Sequence, residues 1–295
     1  MNFNKMDYAL LTKNIAQIIR KNPFINVFSI GKSVEDRDIL CLKFGKGSKK
    51  IFLNGAHHSL EWITSSLLLS YVNDFSHHLK TEEDFSGYDI LDIYKKVSFY
   101  IVPMVNPDGI EIVLHGLDKL CENYNLIKKA LDRKNAKKVW QSNINGVDLN
   151  HNYDASFYEG KEEEKKLGIN SPSPTRFSGV YPFSEPETRA IKKLVDKEKF
   201  DICVAFHSQG EAIYWKYKDK GFLESAQKLS KVSGYELISP SGMESYSGFK
   251  DWVLEKYNIP SFTVEVGKGV NPVSFSGFEK IKKDNYKLIN ECCYL

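Results

Sequence analysis

The apolar positions of this chain fall into short blocks separated by polar punctuation. Residues 7 to 21 carry them at helical spacing, which predicts an amphipathic helix. "INVFSIG" and "DILCLKFG" predict a pair of strands joined by the polar "KSVEDR", and "KKIFLNGA" predicts a third strand. "EWITSSLLLSYVNDF" predicts a mostly buried helix, and "VSFYIVPMVN" a strand running into a turn at "NPDG". Residues 118 to 140 are mixed and polar, a pattern of helix broken by loops. "DICVAFHS" and "PSFTVEVG" are continuous apolar runs, the pattern of strands covered on both faces. "SEPETRAIKKLVDKE" shows a helix start, with Ser184 as N-cap, Pro186 in the first turn and Glu187 closing a capping box. "GFEKIKKDNYKLINECC" predicts a last amphipathic helix. Between these, "YEGKEEEKKLGINSPSPTRFSGVYP" is polar and rich in Gly, Ser and Pro; it predicts a long surface loop, and long loops in compact domains often carry function.

Strands that alternate with helices, several covered on both faces, imply an α/β sandwich around a mixed sheet. No repeat, low-complexity linker or composition break divides the chain. We therefore expect one domain over 1–295, with an N-terminal helix in 1–25 and a catalytic core in 26–295. Composition supports a core of that size: 42% of the 295 residues are hydrophobic and 27% charged. The net charge of +3 argues against a dedicated nucleic-acid binder, and the cluster "IKKALDRKNAKK" reads as a solvated helix face. No apolar run reaches the roughly 18 residues of a membrane span, and the N-terminus lacks the apolar centre of a signal peptide. A cytoplasmic protein without a membrane partner is the expectation. The cysteines, Cys41, Cys121, Cys203, Cys292 and Cys293, are odd in number without CxxC spacing, which fits reduced thiols.

The chemistry starts at "IFLNGAHHSLEW", where two histidines follow a predicted buried strand. If the chain turns helical there, His58 and Glu61, at i and i+3, face the same way. Imidazole nitrogen and carboxylate oxygen are both good zinc donors. This makes His58 a ligand and His57 its neighbour, although the spacing alone equally fits a surface histidine beside a helix start. His207 ends the apolar run "DICVAFH", at the sheet edge where α/β proteins place their sites. The alternative is a core histidine satisfied by a hydrogen bond. His77, His78 and His115 lie in polar or ordinary segments. Glu265 sits inside "PSFTVEVG", and a carboxylate within an apolar strand is costly unless it is paired or faces a cavity. That makes it the candidate base.

The motifs "HSLE", "NPDG", "GVDLNHNY", "HSQG" and "DW" followed by "SFTVEVG" occur in an order that resembles the zinc carboxypeptidases of the M14 type, from about residue 25 to 270. The resemblance implies that family's sandwich, with a central mixed sheet of about eight strands. It implies His58, Glu61 and His207 as ligands of one zinc ion per chain, and Glu265 as general base and acid. It implies Asn150 as a contact to the substrate's terminal carboxylate. Asp251, in "KDW", matches a family aspartate.

The departures point to a branch. Where digestive carboxypeptidases follow the asparagine with a clamping arginine, this chain has His151, which cannot make the bidentate contact. The family's oxyanion arginine aligns with Gln141, with Arg133 as a possible substitute, and its mobile tyrosine with Met243, leaving nearby Tyr246 to take that role. The resemblance places Lys250 at the floor of the family's specificity pocket, where its ammonium would favour a substrate with an extra carboxylate; the alternative is a lysine on a helix start with its head in water. Together with "NGAHHSLEWIT" and "FHSQGEAIYW", these features look most like the γ-D-glutamyl-L-diamino acid endopeptidases. The resemblance implies a peptide substrate derived from peptidoglycan, cut between γ-D-Glu and meso-diaminopimelate. The alternatives are a general metallocarboxypeptidase and a catalytically weakened binding relative.

Overall fold

The computed structural model describes residues 1–121, 124–132, 136–239 and 246–295. The first helix, α1 (Tyr8–Lys21), is capped by the Asp7 carboxylate, which accepts from Leu10 N. Strands β1 (Asn26–Lys32), β2 (Asp38–Gly45) and β3 (Lys49–Gly55) follow, then α2 (Ile63–Thr81), α3 (Ile90–Lys96) and β4 (Val97–Val102). Next come α4 (Pro107–His115), α5 (Tyr124–Leu131), α6 (Phe157–Lys166) and α7 (Pro186–Glu198). Strands β5 (Ile202–His207) and β6 (Ala212–Tyr214) lead to a short ribbon, β7 (Lys216–Tyr217) and β8 (Lys220–Gly221). The chain closes with α8 (Leu223–Ser233), β9 (Glu236–Ile238), α9 (Phe249–Tyr257), β10 (Ser261–Glu265) and α10 (Phe278–Cys292).

Eight strands form one mixed sheet in the order β1-β2-β4-β3-β5-β10-β6-β9. At its centre β4, β3, β5 and β10 run parallel, while β2 pairs antiparallel with β4 and β6 with β10. Alternation along these strands divides the core between the two faces. Ile51, Leu53, Val204 and Phe206 pack with residues of α2, α8 and α10; Phe52, Cys203 and Ala205 pack with residues of α7 and α9. Both faces are covered, so the central strands read as unbroken apolar runs in the sequence. All five cysteines are buried, those of β2 and β5 in the sheet itself. Among the described residues no helix is long and apolar enough to cross a membrane.

Three local expectations give way to structure. "NPDG" is the start of α4: Asn106 caps it by accepting from Gly109 N, and Pro107 occupies the first helical position, where its missing N–H costs nothing. At α7 the residue before the helix is Glu185, and there is no capping box. Ser184 instead donates to Glu185 Oε1, and Glu187 turns inward, where Asn143 and the Val34 amide donate to it. The long polar segment after residue 157 begins as α6, whose Glu164 is buried against Lys161; only the remainder is loop.

The parallel strands all end on one edge. His57 and His58 follow β3, His207 ends β5 and Glu265 ends β10, in register with His207. In an open sheet this carboxyl edge is where the chain leaves a crevice for a ligand.

Candidate active site

His58 caps a single 3-10 turn, Ser59–Glu61. Residues three apart on such a turn eclipse one another, so the His58 and Glu61 side chains meet. His58 Nδ1 lies 3.0 Å from Glu61 Oε1, and His207 Nδ1 lies 3.0 Å from Glu61 Oε2. The two Nδ1 atoms are 3.2 Å apart. The donor atoms of His58, Glu61 and His207 all fall within 4.8 Å of one another. Two imidazole nitrogens that face each other at this distance repel unless a cation or a proton lies between them. Two imidazoles and one carboxylate, nearly enclosed, are the donor set of a three-ligand zinc site.

The charges agree with that arrangement. Burial opposes ionisation of Glu61, yet His58 and His207 hold its pKa down at about 2. Burial likewise opposes a charge on His58, but Glu61 and Asp148 together raise its pKa well above the usual value. Burial dominates at His207 and lowers its pKa.

The neighbours orient these three side chains. Asp148 Oδ1 lies 3.2 Å from His58 Nε2, which turns Nδ1 toward the cluster. The other Asp148 oxygen accepts from Arg176 N at 2.9 Å. The Asn271 amide donates to Glu61 Oε1 at 3.3 Å. Neither Asp148 nor Asn271 is singled out by sequence reasoning. Asp148 stands inside the quoted "GVDLNHNY", whose carboxylate was the available signal; no local pattern marks Asn271. His57 contributes no donor to the cluster. Its Nε2 pairs with the Tyr153 hydroxyl at 2.8 Å, and its ring stacks on His207 with centroids 5.5 Å apart. Burial lowers its pKa. Asn106 of "NPDG" donates to the His57 carbonyl at 2.9 Å, tying this loop to α4.

Beside the cluster lies a hollow of about 210 Å³ that collects most of the remaining expected residues: Asn150, His151, Tyr246, Lys250, Asp251 and Glu265. Glu265 is only half-buried because it opens onto this hollow at the end of its strand. Asn150 Oδ1 accepts from Phe249 N, which leaves its NH2 as the donor for a carboxylate. His151 Nδ1 bonds the Tyr246 carbonyl at 3.1 Å. Lys250 is 3% exposed; its ammonium bonds the Lys216 carbonyl and the Asp251 carboxylate. Gln141 does not line this hollow. It borders a separate groove with Leu60 and Asn271, and its carbonyl accepts from Ser59 N. Arg133 and Met243 lie outside the described residues.

The zinc carboxypeptidase family profile, Peptidase M14, matches residues 11–287. The chain belongs to this family. Its members are zinc-dependent in general, and the protein is a metallopeptidase, a hydrolase. The chain is 35% identical over 280 residues to the uncharacterized protein YqgT of Bacillus subtilis, covering 93% of this chain and 73% of the relative. It is 34% identical over 283 residues to γ-D-glutamyl-L-diamino acid endopeptidase 1 of Lysinibacillus sphaericus, covering 94% and 69%. The fold is also that of bovine thrombin-activatable fibrinolysis inhibitor, solved in complex with tick carboxypeptidase inhibitor: TM-score 0.75, 18% identity, 99% of this chain and 97% of that one. The expected α/β sandwich with an eight-stranded mixed sheet is thus the observed fold.

Proposed function

We propose that this M14 peptidase hydrolyses the γ-D-glutamyl–meso-diaminopimelate bond of peptidoglycan-derived peptides. The observation that carries the reading is the floor of the hollow beside the cluster, where the buried Lys250 ammonium meets the Asp251 carboxylate. A pocket for an apolar side chain has no use for that pair. The far end of meso-diaminopimelate carries a carboxylate and an ammonium, and so complements both partners. The Lysinibacillus relative, named an endopeptidase for γ-D-glutamyl-L-diamino acid bonds, supports the same substrate class. The position of His151, where a clamping arginine would mark a carboxypeptidase of broad use, supports it further.

One zinc ion per chain would be held by His58, Glu61 and His207. When bound there it supplies Lewis acidity to the scissile carbonyl and lowers the pKa of a water. Glu265 takes the proton of the attacking water and delivers it to the leaving nitrogen of diaminopimelate. The Gln141 amide donates to the oxygen on which negative charge develops, with less effect than a guanidinium. Asn150 and His151 orient the leaving residue, and Tyr246 borders the hollow in place of the family's mobile tyrosine.

The test is a competition between L-Ala-γ-D-Glu-meso-diaminopimelate and a hippuryl dipeptide. Preference for the tripeptide supports the proposal. Preference for the hippuryl peptide indicates a general carboxypeptidase, and turnover of neither by zinc-loaded protein indicates a binding relative.

A further inference from the structure

A groove of about 650 Å³ also opens beside the metal cluster and shares no lining residue with the Lys250 hollow. It meets the cluster through Leu60, which lies between His58 and Glu61, and through Asn271, which bonds Glu61. Val139, Leu167 and Val270 give it exposed apolar walls. Its charged lining residues are Arg176 and Lys138, and among the described residues no acidic one lines it.

Arg176 is held in place from beneath. Its backbone amide donates to Asp148, the carboxylate that also holds His58, so one side chain ties it to the metal ligand. Its φ is +66°, an unfavourable conformation for a residue with a side chain and one that persists where the surroundings enforce it. The enforcing structure is the loop after α6. Ser178 N donates to Glu164 Oε1 at 3.0 Å and Ile169 N to the Glu164 carbonyl at 2.9 Å, which pins both ends of the loop to one buried carboxylate residue. The Arg176 side chain is exposed, and its guanidinium has no ion pair among the described residues. The polar segment that reads as a functional loop in the sequence thus delivers an exposed cation to the edge of the site.

We infer that this groove takes the acyl half of the substrate and that Arg176 reads a free carboxylate beside the scissile bond. The inference rests on the proposed substrate class. In an α-linked peptide the α-carboxyl is itself the scissile carbonyl, so an acid there comes only from an acidic side chain. A γ-linked D-glutamyl residue leaves its α-carboxylate free, with three carbons between it and the scissile carbonyl. An exposed guanidinium at the groove is a fitting partner for that anion, and the apolar walls suit the small alanine before it. Arg176 and Lys250 would then read the two carboxylates that flank the bond, one on each side.

The experiment compares L-Ala-γ-D-Glu-meso-diaminopimelate with its D-isoglutamine analogue, in which that α-carboxyl is an amide. Both peptides are measured by hydrolysis with the zinc-loaded enzyme and by calorimetric binding to the Glu265→Gln variant. The wild type is expected to favour the free acid by roughly tenfold. Arg176→Ala should erase the difference by costing the free acid far more than the amide, and Arg176→Lys should restore part of it, since an ammonium keeps the charge without the bidentate fork. A wild type indifferent to amidation, or equal losses on both peptides in Arg176→Ala, would overturn the inference and leave the proposed function standing. Failure of the wild type to bind or cut either γ-linked peptide, with turnover of α-linked ones, would overturn both.

Discussion

The Nδ1 atom of His58 lies 3.2 Å from the Nδ1 atom of His207, although 149 residues separate them in the chain. The fold creates this contact by ending two parallel strands, β3 and β5, on the same edge of the sheet. The adjacent His57 is excluded from it by a hydrogen bond to Tyr153. Two histidines that are equivalent in the sequence therefore have different tasks.

The difference is measurable. His58→Ala is expected to remove most bound zinc, as read by metal analysis after gel filtration. His57→Ala should keep the metal and lose stability instead, by about 2–4 kcal/mol, because it opens a buried space and leaves the Tyr153 hydroxyl without its partner. Metal loss in His57→Ala with retention in His58→Ala would reverse the assignment.

Asp148 provides a second check on the proposed metal site. It accepts from the outer nitrogen of His58 and so fixes which nitrogen faces the cluster. Asp148→Asn should weaken zinc binding by roughly ten- to a hundredfold with the fold retained. An unchanged affinity in competition with a chelator would mean that the contact does not orient the ring.

Much of this arrangement is legible in the sequence, for a physical reason. His207 and Glu265 end unbroken apolar runs, and such runs must be central strands whose tips share an edge. His58 and Glu61 are three apart on a turn, so local geometry alone joins them. Asp148 escapes notice because its partner His58 is 90 residues away and nothing local requires a carboxylate there. Glu187 misleads for the opposite reason: its local pattern is that of a capping box, but a tertiary site formed by Asn143 and Val34 captures the side chain. Arg176 lies in a polar loop whose backbone path depends on the buried Glu164, and no periodicity encodes that.

Lys250 carries the selectivity expectation. The wild type should prefer the diaminopimelate tripeptide to its L-lysine analogue, which lacks the distal carboxylate. Lys250→Ala should reduce turnover of the first by roughly ten- to a hundredfold more than the second. Equal losses on the two substrates, or none, would show that Lys250 serves only to neutralise Asp251.

Glu187 sets a pH dependence of stability that is independent of the metal. Burial, then the neighbouring Asp108 and Glu185, push its pKa up to about 8. In the unfolded chain a glutamate ionises near about 4.3. Between these values the folded state retains a proton that the unfolded state has released, so stability falls as pH rises through the window. Glu187→Gln cannot ionise. The wild type should therefore lose more stability than the variant between about pH 5 and 8, by on the order of a few kcal/mol. Parallel curves in thermal unfolding at matched pH values would contradict this.

The central claim is a zinc-dependent cut between γ-D-Glu and meso-diaminopimelate with Glu265 as the base. The most direct measurement is mass spectrometry of L-Ala-γ-D-Glu-meso-diaminopimelate after incubation with zinc-loaded wild type and with zinc-loaded Glu265→Gln. The account expects free diaminopimelate and L-Ala-D-Glu from the wild type, and almost no product from a variant that retains its zinc, since the amide cannot accept the water's proton. Cleavage at the L-Ala–D-Glu bond, no cleavage by zinc-replete wild type, or substantial turnover by Glu265→Gln would contradict it.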